Sequence, residues 1–391
     1  MYIFNAIIFF LVSVCSVQAK EYPAEYLIDL EKKFNTLRSE IYITSNTEPD
    51  SYRKQNAALY HIKKGAWGKS IKRVQPDKTS AAGCQDYNNI LYGISMQGLK
   101  NKKSALNFYR RVYRDSVHYA TAQLNIASIY QREGRAEKAI LTIRKVLSDS
   151  SVLMDVELTN KLLFTLANIY IRENRYLESM KILRRIETRS IYSSRAMIAL
   201  AFSALEIKDY STALNTLNYL LNNNQHDLAG DESYITIAFL YESKGDYIRA
   251  AEYYKRAVAY YKKRINKIDI ATNRKKALKY LNLRNKHNFI VNEIQIDLIE
   301  ELPAAFFDTY FMLEKLVQRI SESTDVKNEF HDRAITLYHD YRKVIKQLLH
   351  KQLKVRKKIL TSYLKQSNYG FILSNDQLVS EMEIKNHAVS E

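Results

Sequence analysis

The sequence predicts an all-α protein, and three observations carry that expectation. In 391 residues there are only four Pro and nine Gly, so residues that interrupt regular backbone are rare. Thirty Tyr supply large rings with one polar end, which suit packing between helices. Segments similar to one another recur every 34 to 40 residues, each with apolar residues at helical spacing. With 46% hydrophobic residues, the chain is long enough to hold two or three domains with real cores.

The first residues stand apart. Tyr2 to Val17 (YIFNAIIFFLVSVCSV) carries no charge, and Val17-Gln18-Ala19 offers the small residues that a signal peptidase reads before Lys20-Glu21-Tyr22-Pro23 turns polar. A secretory signal over 1–19 is expected, cleaved after Ala19, which implies export, most simply to a bacterial periplasm or envelope. The stretch before the apolar run has no Lys or Arg, and an uncleaved anchor is the alternative. About sixteen apolar residues, however, fall short of the roughly twenty that span a bilayer. Cys15 follows Val14, where a lipoprotein signal needs a small residue. Cleavage would leave Cys84 alone, which precludes an internal disulfide and a cysteine-rich metal site. It reads as a small buried hydrophobe or an intermolecular bridge. The net charge of +18 on an exported chain points to anionic lipid, envelope polymer or acidic protein surfaces, and nucleic acid is not expected.

Residues 20–50 read as an N-terminal helical cap, and 51–262 as an array of about six helix-turn-helix units. The clearer copies lie in 120–262. NIASIYQREGRAEKAILTIRKVL (125–147) sets out Ala127, Tyr130, Gly134, Ala139 and Ile143. TLANIYIRENRYLESMKILRRI (165–186) follows with Ala167, Tyr170, Asn174, Tyr176, Ser179 and Leu183. LAFSALEIKDYSTALNTLNYL (200–220) has Ala201, Ala204, Tyr210, Ala213 and Leu217, and IAFLYESKGDYIRAAEYYKRAV (237–258) has Ala238, Tyr241, Gly245, Tyr247, Ala250, Tyr254 and Ala257. A small residue and an aromatic three apart share one face of a first helix. Gly then supplies a tight turn, and the next small residue lets the second helix approach closely.

Weaker copies occupy 51–117. One places Gly93, Ala105 and Tyr109 in frame, and the other Ala58, Gly65, Trp67, Ser70 and Val74. The second contains GAWGKS (65–70), which looks like the end of a phosphate-binding loop. That loop needs a Gly five residues before its Gly-Lys, where this chain has Lys63, and a preceding strand, where AALYHIKK is helical in pattern. The segment is therefore read as a repeat turn, with Gly65 in the turn and Ser70 at the close-approach position.

These copies resemble the tetratricopeptide repeat, a helix-turn-helix unit of about 34 residues. The resemblance implies a solenoid of helix pairs that line a concave groove with their first helices. Carried onto this chain, the groove positions are Leu124, Ser128 and Gln131, then Lys161, Phe164 and Asn168, then Arg195, Ile198 and Phe202, then Ile235 and Phe239. Their apolar fifth position fits an apolar or helical protein segment better than a clamped carboxylate. The other reading is that these residues only pack the array.

Residues 263–373 read as a basic helical C-terminal domain and 374–391 as a flexible tail. A long helix is expected over 263–301, ended by Pro303, then one over 306–320, a turn at SESTD (321–325), and a long helix from Val326 to Gln366. Within Tyr341–Asn375, Lys343, Lys346, Lys351, Lys354, Arg356, Lys357 and Lys358 occur with no acid, while apolar residues recur at helical spacing. This helix either packs on its neighbours with the lysines in water or grips an anionic surface. No HExxH, GxSxG, dinucleotide or calcium loop is present. His331 and His339 are eight apart without a third ligand, and Glu300-Glu301 point apart on a helix. No enzyme activity, metal or cofactor is expected. The reading is an exported adaptor that holds protein partners of an envelope assembly, transport or polymer-export apparatus. The alternative is a peripheral protein that binds anionic lipid or polymer through its basic C-terminal helices.

Overall fold

The computed structural model describes residues 22–42, 50–74, 82–149, 151–152, 155–223, 227–273, 282–285, 288–298, 300–322 and 328–389. The signal reading at 1–19 lies outside the described residues. In chain order the elements are α1 (Ala24–Tyr42), α2 (Asp50–Lys63), α3 (Trp67–Arg73), α4 (Ala82–Gly98), α5 (Lys102–Arg110), α6 (Tyr119–Arg132), α7 (Ala136–Leu147) and α8 (Val156–Arg172). They continue as α9 (Tyr176–Leu183), α10 (Ser193–Glu206), α11 (Tyr210–Asn223), α12 (Leu228–Ser243) and α13 (Tyr247–Asn273). After β1 (Asn282–Asn285), β2 (Asn288–Val291) and β3 (Ile294–Asp297) come α14 (Ala304–Glu322) and α15 (Asn328–Val389).

The chain divides into two compact units, each built from two separate stretches. The first comprises the chain up to Arg111 with Leu298–Leu348; the second comprises Val112–Asp297 with Leu349–Glu391. The sequence-based domain 263–373 is therefore not a unit of its own. Its residues are divided between two cores, because α15 contributes apolar residues on both sides of Leu348–Leu349.

In the first unit, α1 buries Leu27, Leu30, Phe34 and Leu37, an i, i+3, i+7, i+10 stripe, and packs against α2 and α14. Phe306 of α14 stacks on Tyr341 of α15 with ring centroids 4.5 Å apart, and both rings are buried. Helices α2–α3 and α4–α5 form two hairpins. Gly93 is obligatory where α4 meets α5, since a Cβ there would fall 2.3 Å from the Tyr109 ring.

In the second unit, four hairpins follow one another: α6–α7, α8–α9, α10–α11 and α12–α13. Each second helix contacts the next first helix, and the first helices contact each other in series, the stacking of an α-solenoid. The small residues expected at the close-approach position, Ala139, Ser179, Ala213 and Ala250, are all fully buried, as are Ser70 and Ala105 in the first unit. Each hairpin turn holds one residue with positive φ: Gly65, Lys100, Gly134, Asn174, Lys208 and Gly245. Gly65, Gly134 and Gly245 match the turns read from sequence.

Two expectations need correction. The long helix over 263–301 ends at Asn273, and β1, β2 and β3 form a three-stranded antiparallel sheet in that order. Phe289, Val291, Ile294 and Ile296 are buried on alternate strand positions while Ile290, Gln295 and Asp297 lie nearer solvent, the β-branched residues favour strand, and Asn292 (φ 48°) and Glu293 (φ 68°) make the two-residue hairpin turn. The tail expected at 374–391 is helical as far as Val389. Nothing after Gly370 breaks the helix, and Gln, Leu, Glu, Met and Lys in that stretch favour it.

Candidate functional site

The repeat positions read as a groove separate into two sets. Leu124, Ile198, Phe202 and Ile235 are buried, and Leu124 belongs to the core formed by α6, α7 and α8 with Ala127, Ala139, Ile143, Leu162 and Leu166. These four fill the spaces between helices, which corrects their reading as a free apolar strip. Seven others reach solvent. Lys161 and Arg195 are exposed, while Gln131, Phe164, Asn168 and Phe239 are half-buried, as is Ser128. Phe164 leans against Tyr192 with centroids 5.8 Å apart, and the Asn168 side-chain amide donates to the Phe164 carbonyl at 2.9 Å. That internal bond ties the Asn168 amide to its own helix.

The basic helix is also divided. Arg356 is buried, and its Nε and Nη2 lie 2.9 and 2.8 Å from Oδ2 of the fully buried Asp231. Oδ1 of Asp231 accepts from Arg264 Nε at 2.9 Å and from the Tyr260 hydroxyl at 2.5 Å. The Tyr261 hydroxyl donates to the Asp231 carbonyl at 2.7 Å, and Arg264 Nη1 donates to the Glu293 carbonyl at 2.8 Å. Thus α12, α13, the β-hairpin and α15 share one buried polar cluster. Lys357 is paired with Asp269 at 2.6 Å. Both therefore leave the proposed surface patch: Arg356 is inside the fold, and the charge of Lys357 is already matched.

Beside Asp231 lies Glu232, also buried. Desolvation pushes its carboxyl up to about 8 although Arg356 and the neighbouring Tyr363 hydroxyl act in the opposite direction. Burial likewise holds the Tyr363 and Tyr261 hydroxyls well above the ordinary tyrosine range. The sequence carries no signal for this cluster, because Asp231 and Arg356 are brought together only by the tertiary fold.

The remaining basic residues stay near solvent. Lys343, Lys354 and Lys358 are exposed, and Lys346 and Lys351 are half-buried. Burial, with Arg342 close by, holds the Lys346 ammonium below its usual value. Lys354, Lys357, Lys358, Thr361, Ser362 and Lys365 line an open cleft of about 460 Å³ on α15. Among the described residues no group of three or more His, Cys, Asp or Glu is arranged to hold a metal, and no helix is long and apolar enough to cross a membrane. Cys84 is half-buried as a free thiol.

GAWGKS is a hairpin turn. Gly65 has φ 69°, the preceding segment is helix α2, and Ser70 is buried with Ser95 Oγ donating to its hydroxyl at 2.9 Å. The half-buried Trp67 covers Gly98, where a Cβ would meet its ring at 2.3 Å. Lys69 points outward and pairs with Glu25.

A family model described as tetratricopeptide repeat matches residues 120–148 and 231–264, which cover nearly all of α6–α7, most of α12 and about the first two-thirds of α13. Among solved structures, the chain is similar to the C-terminal part of a TPR repeat-containing protein from Cytophaga hutchinsonii, with 14% identity, 60% of this chain and 93% of that chain covered, and a TM-score of 0.43. It is similar also to a tetratricopeptide repeat protein from Parabacteroides merdae, with 14% identity, coverage of 86% and 99%, and a TM-score of 0.37. A third is a Rap protein complexed with competence and sporulation factor, with 16% identity, coverage of 82% and 100%, and a TM-score of 0.37. A comparison with curated proteins returned no match. The assignment rests on the matched segments and on the hairpins between them, which repeat the same turn and the same buried small residue. Residues 120–148 and 231–264 are thus tetratricopeptide repeats within an array of stacked hairpins, and the described residues are helical apart from one small sheet.

Proposed function

We propose that this scaffold is an exported adaptor that holds protein partners of an envelope assembly, transport or polymer-export apparatus. An apolar or helical segment of a partner docks along the first helices of the repeats. The observation that carries the docking reading is the solvent-reaching row on those helices. Phe164 and Phe239 are half-buried rings, and Gln131, Lys161, Asn168 and Arg195 also reach solvent from first helices of the array, the residue types that serve as ring anchors and polar rim in protein recognition. Support for export comes from the uncharged run Tyr2–Val17 followed by Val17-Gln18-Ala19. The burial of Arg356 and the pairing of Lys357 weigh against an anionic lipid or polymer as the main partner, since they remove two cations from the basic helix.

The test is a pull-down from the native envelope at low and at high salt, with wild type and with the Phe164→Ser/Phe239→Ser variant. Capture that persists in high salt, and that the variant loses while its circular dichroism and melting temperature hold, is the expected result. Capture unchanged in a folded variant would remove the groove. Capture that disappears steeply with salt would transfer the function to the basic helices. N-terminal sequencing of the native protein should begin at Lys20, and retention of Met1 would end the cleaved-signal reading.

A further inference from the structure

The C-terminal part of α15 carries two seams on opposite faces. Arg356, Leu360, Tyr363, Ser367, Gly370 and Ser374 follow a seven-residue repeat and are all buried. Gly370 is needed for close approach, since a Cβ there would lie 2.3 Å from the Tyr254 ring. The other seam faces solvent and obeys the same spacing. Lys358, Lys365, Ile372 and Val379 are seven apart, and Ser362, Tyr369, Asp376 and Glu383 are seven apart, each set offset from the other by three or four. Tyr369, Ile372 and Val379 are 58%, 59% and 55% exposed. Lys358, Lys365, Asp376 and Glu383 are exposed too, and none forms an ion pair among the described residues. Single exposed apolar residues need no explanation, but a heptad seam opposite a packed one does.

The charges on this seam are arranged in halves, with lysines before Tyr369 and acids after Ile372. From this we infer that the outer face of α15 pairs with the same face of a second copy of this chain, antiparallel, about a two-fold axis between Gly370 and Phe371. In that register Tyr369 packs on Ile372 of the second copy, Lys365 meets Asp376, Lys358 meets Glu383, and Ser362 meets Val379. Every contact occurs twice, as an isologous interface requires. The acidic segment of each copy arrives on the cleft of about 460 Å³ lined by Lys354, Lys358, Thr361, Ser362 and Lys365, which supplies room and positive charge. A parallel pair would set Lys365 against Lys365 and Asp376 against Asp376, so the charge order selects the antiparallel arrangement. The paired stretch from Lys358 to Glu383 runs about 38 Å along the helix.

Sedimentation equilibrium of the full chain across about 2 to 200 µM tests this. A monomer–dimer equilibrium is expected. The single variants Lys365→Glu and Asp376→Lys each place like charges together at both symmetric contacts and weaken the dimer at least tenfold. The double variant Lys365→Glu/Asp376→Lys restores the opposite-charge pairs and returns the dimer to within about threefold of wild type. Ile372→Ser/Val379→Ser weakens it without lowering the melting temperature, because both side chains are exposed in the monomer. A wild type that is monomeric throughout, singles that leave the dimer unchanged, or a double variant that fails to recover would each overturn the assignment.

Discussion

Lys208 occupies, at φ 61°, the turn position that Gly134 and Gly245 hold in other repeats at φ 71° and 74°. A side chain in the left-handed region costs about 1 kcal/mol or more that Gly avoids, and a Cβ at Gly134 would meet nothing within 4 Å. Lys208→Gly is therefore expected to stabilise the protein by about 1 kcal/mol, and Gly134→Ala to destabilise it by a similar amount, both read from urea unfolding. The glycine turns were legible because only Gly favours that backbone; Lys100 and Lys208 were not, since their conformation is imposed by the helices they join. Glu232 offers a second test. Its carboxyl titrates at about 8 in the fold against an ordinary 4.5, so across that window the unfolded chain releases a proton that the folded chain keeps. This group's contribution is most favourable below pH 4.5 and declines as pH rises towards 8. Glu232→Gln removes the decline, so the variant should gain on wild type between about pH 5 and pH 8 by at least about 1 kcal/mol. A difference that stays constant across that range would contradict the buried neutral acid.

At the scale of elements, hydrophobic period carried the reading where one face of a helix is buried, and it failed where a short alternating run was set inside basic sequence. Phe289, Val291, Ile294 and Ile296 are buried on alternate positions, but each strand is only four residues long. The turn is Asn292-Glu293 in place of the more telling Asn-Gly, so the hairpin signal was faint. The attachment of α15 was hidden for another reason: Arg356 looks like one more cation in a basic helix until the fold brings Asp231 to it. That pair makes a prediction. Arg356→Met leaves Asp231 buried with Arg264 and Tyr260 but without its second guanidinium, and loss of one partner in a buried pair costs about 3 kcal/mol or more. Hydrogen exchange should accelerate in residues 349–375 relative to α6–α9. Unchanged exchange there would mean that the apolar packing of Leu353, Leu360 and Tyr363 holds the helix without the ion pair.

At the scale of the molecule, the sequence showed a repeat array followed by a basic helical region, and that order along the chain suggested separable domains. The fold is organised otherwise, since each compact unit combines an early stretch with a late one. The reason lies in which apolar faces need cover. In the first unit, α1 presents Leu27, Leu30, Phe34 and Leu37, and the chain returns after Leu298 to supply Phe306, Phe307 and Tyr341 to that core. In the second unit, α13 ends the array with Tyr254, Tyr261 and Arg264, and α15 closes it with Gly370, Tyr363 and Arg356. An array of stacked hairpins leaves its last apolar face open unless something caps it. A chain truncated after Asp297 therefore keeps every repeat yet loses cover from both cores. It should retain a helical circular dichroism spectrum but melt over a broad range at markedly lower temperature, and it should be cleaved by protease within α1 and α13 where the full chain resists. A truncated chain that melts as sharply and as high as the full one would mean that the repeats fold without their C-terminal partners.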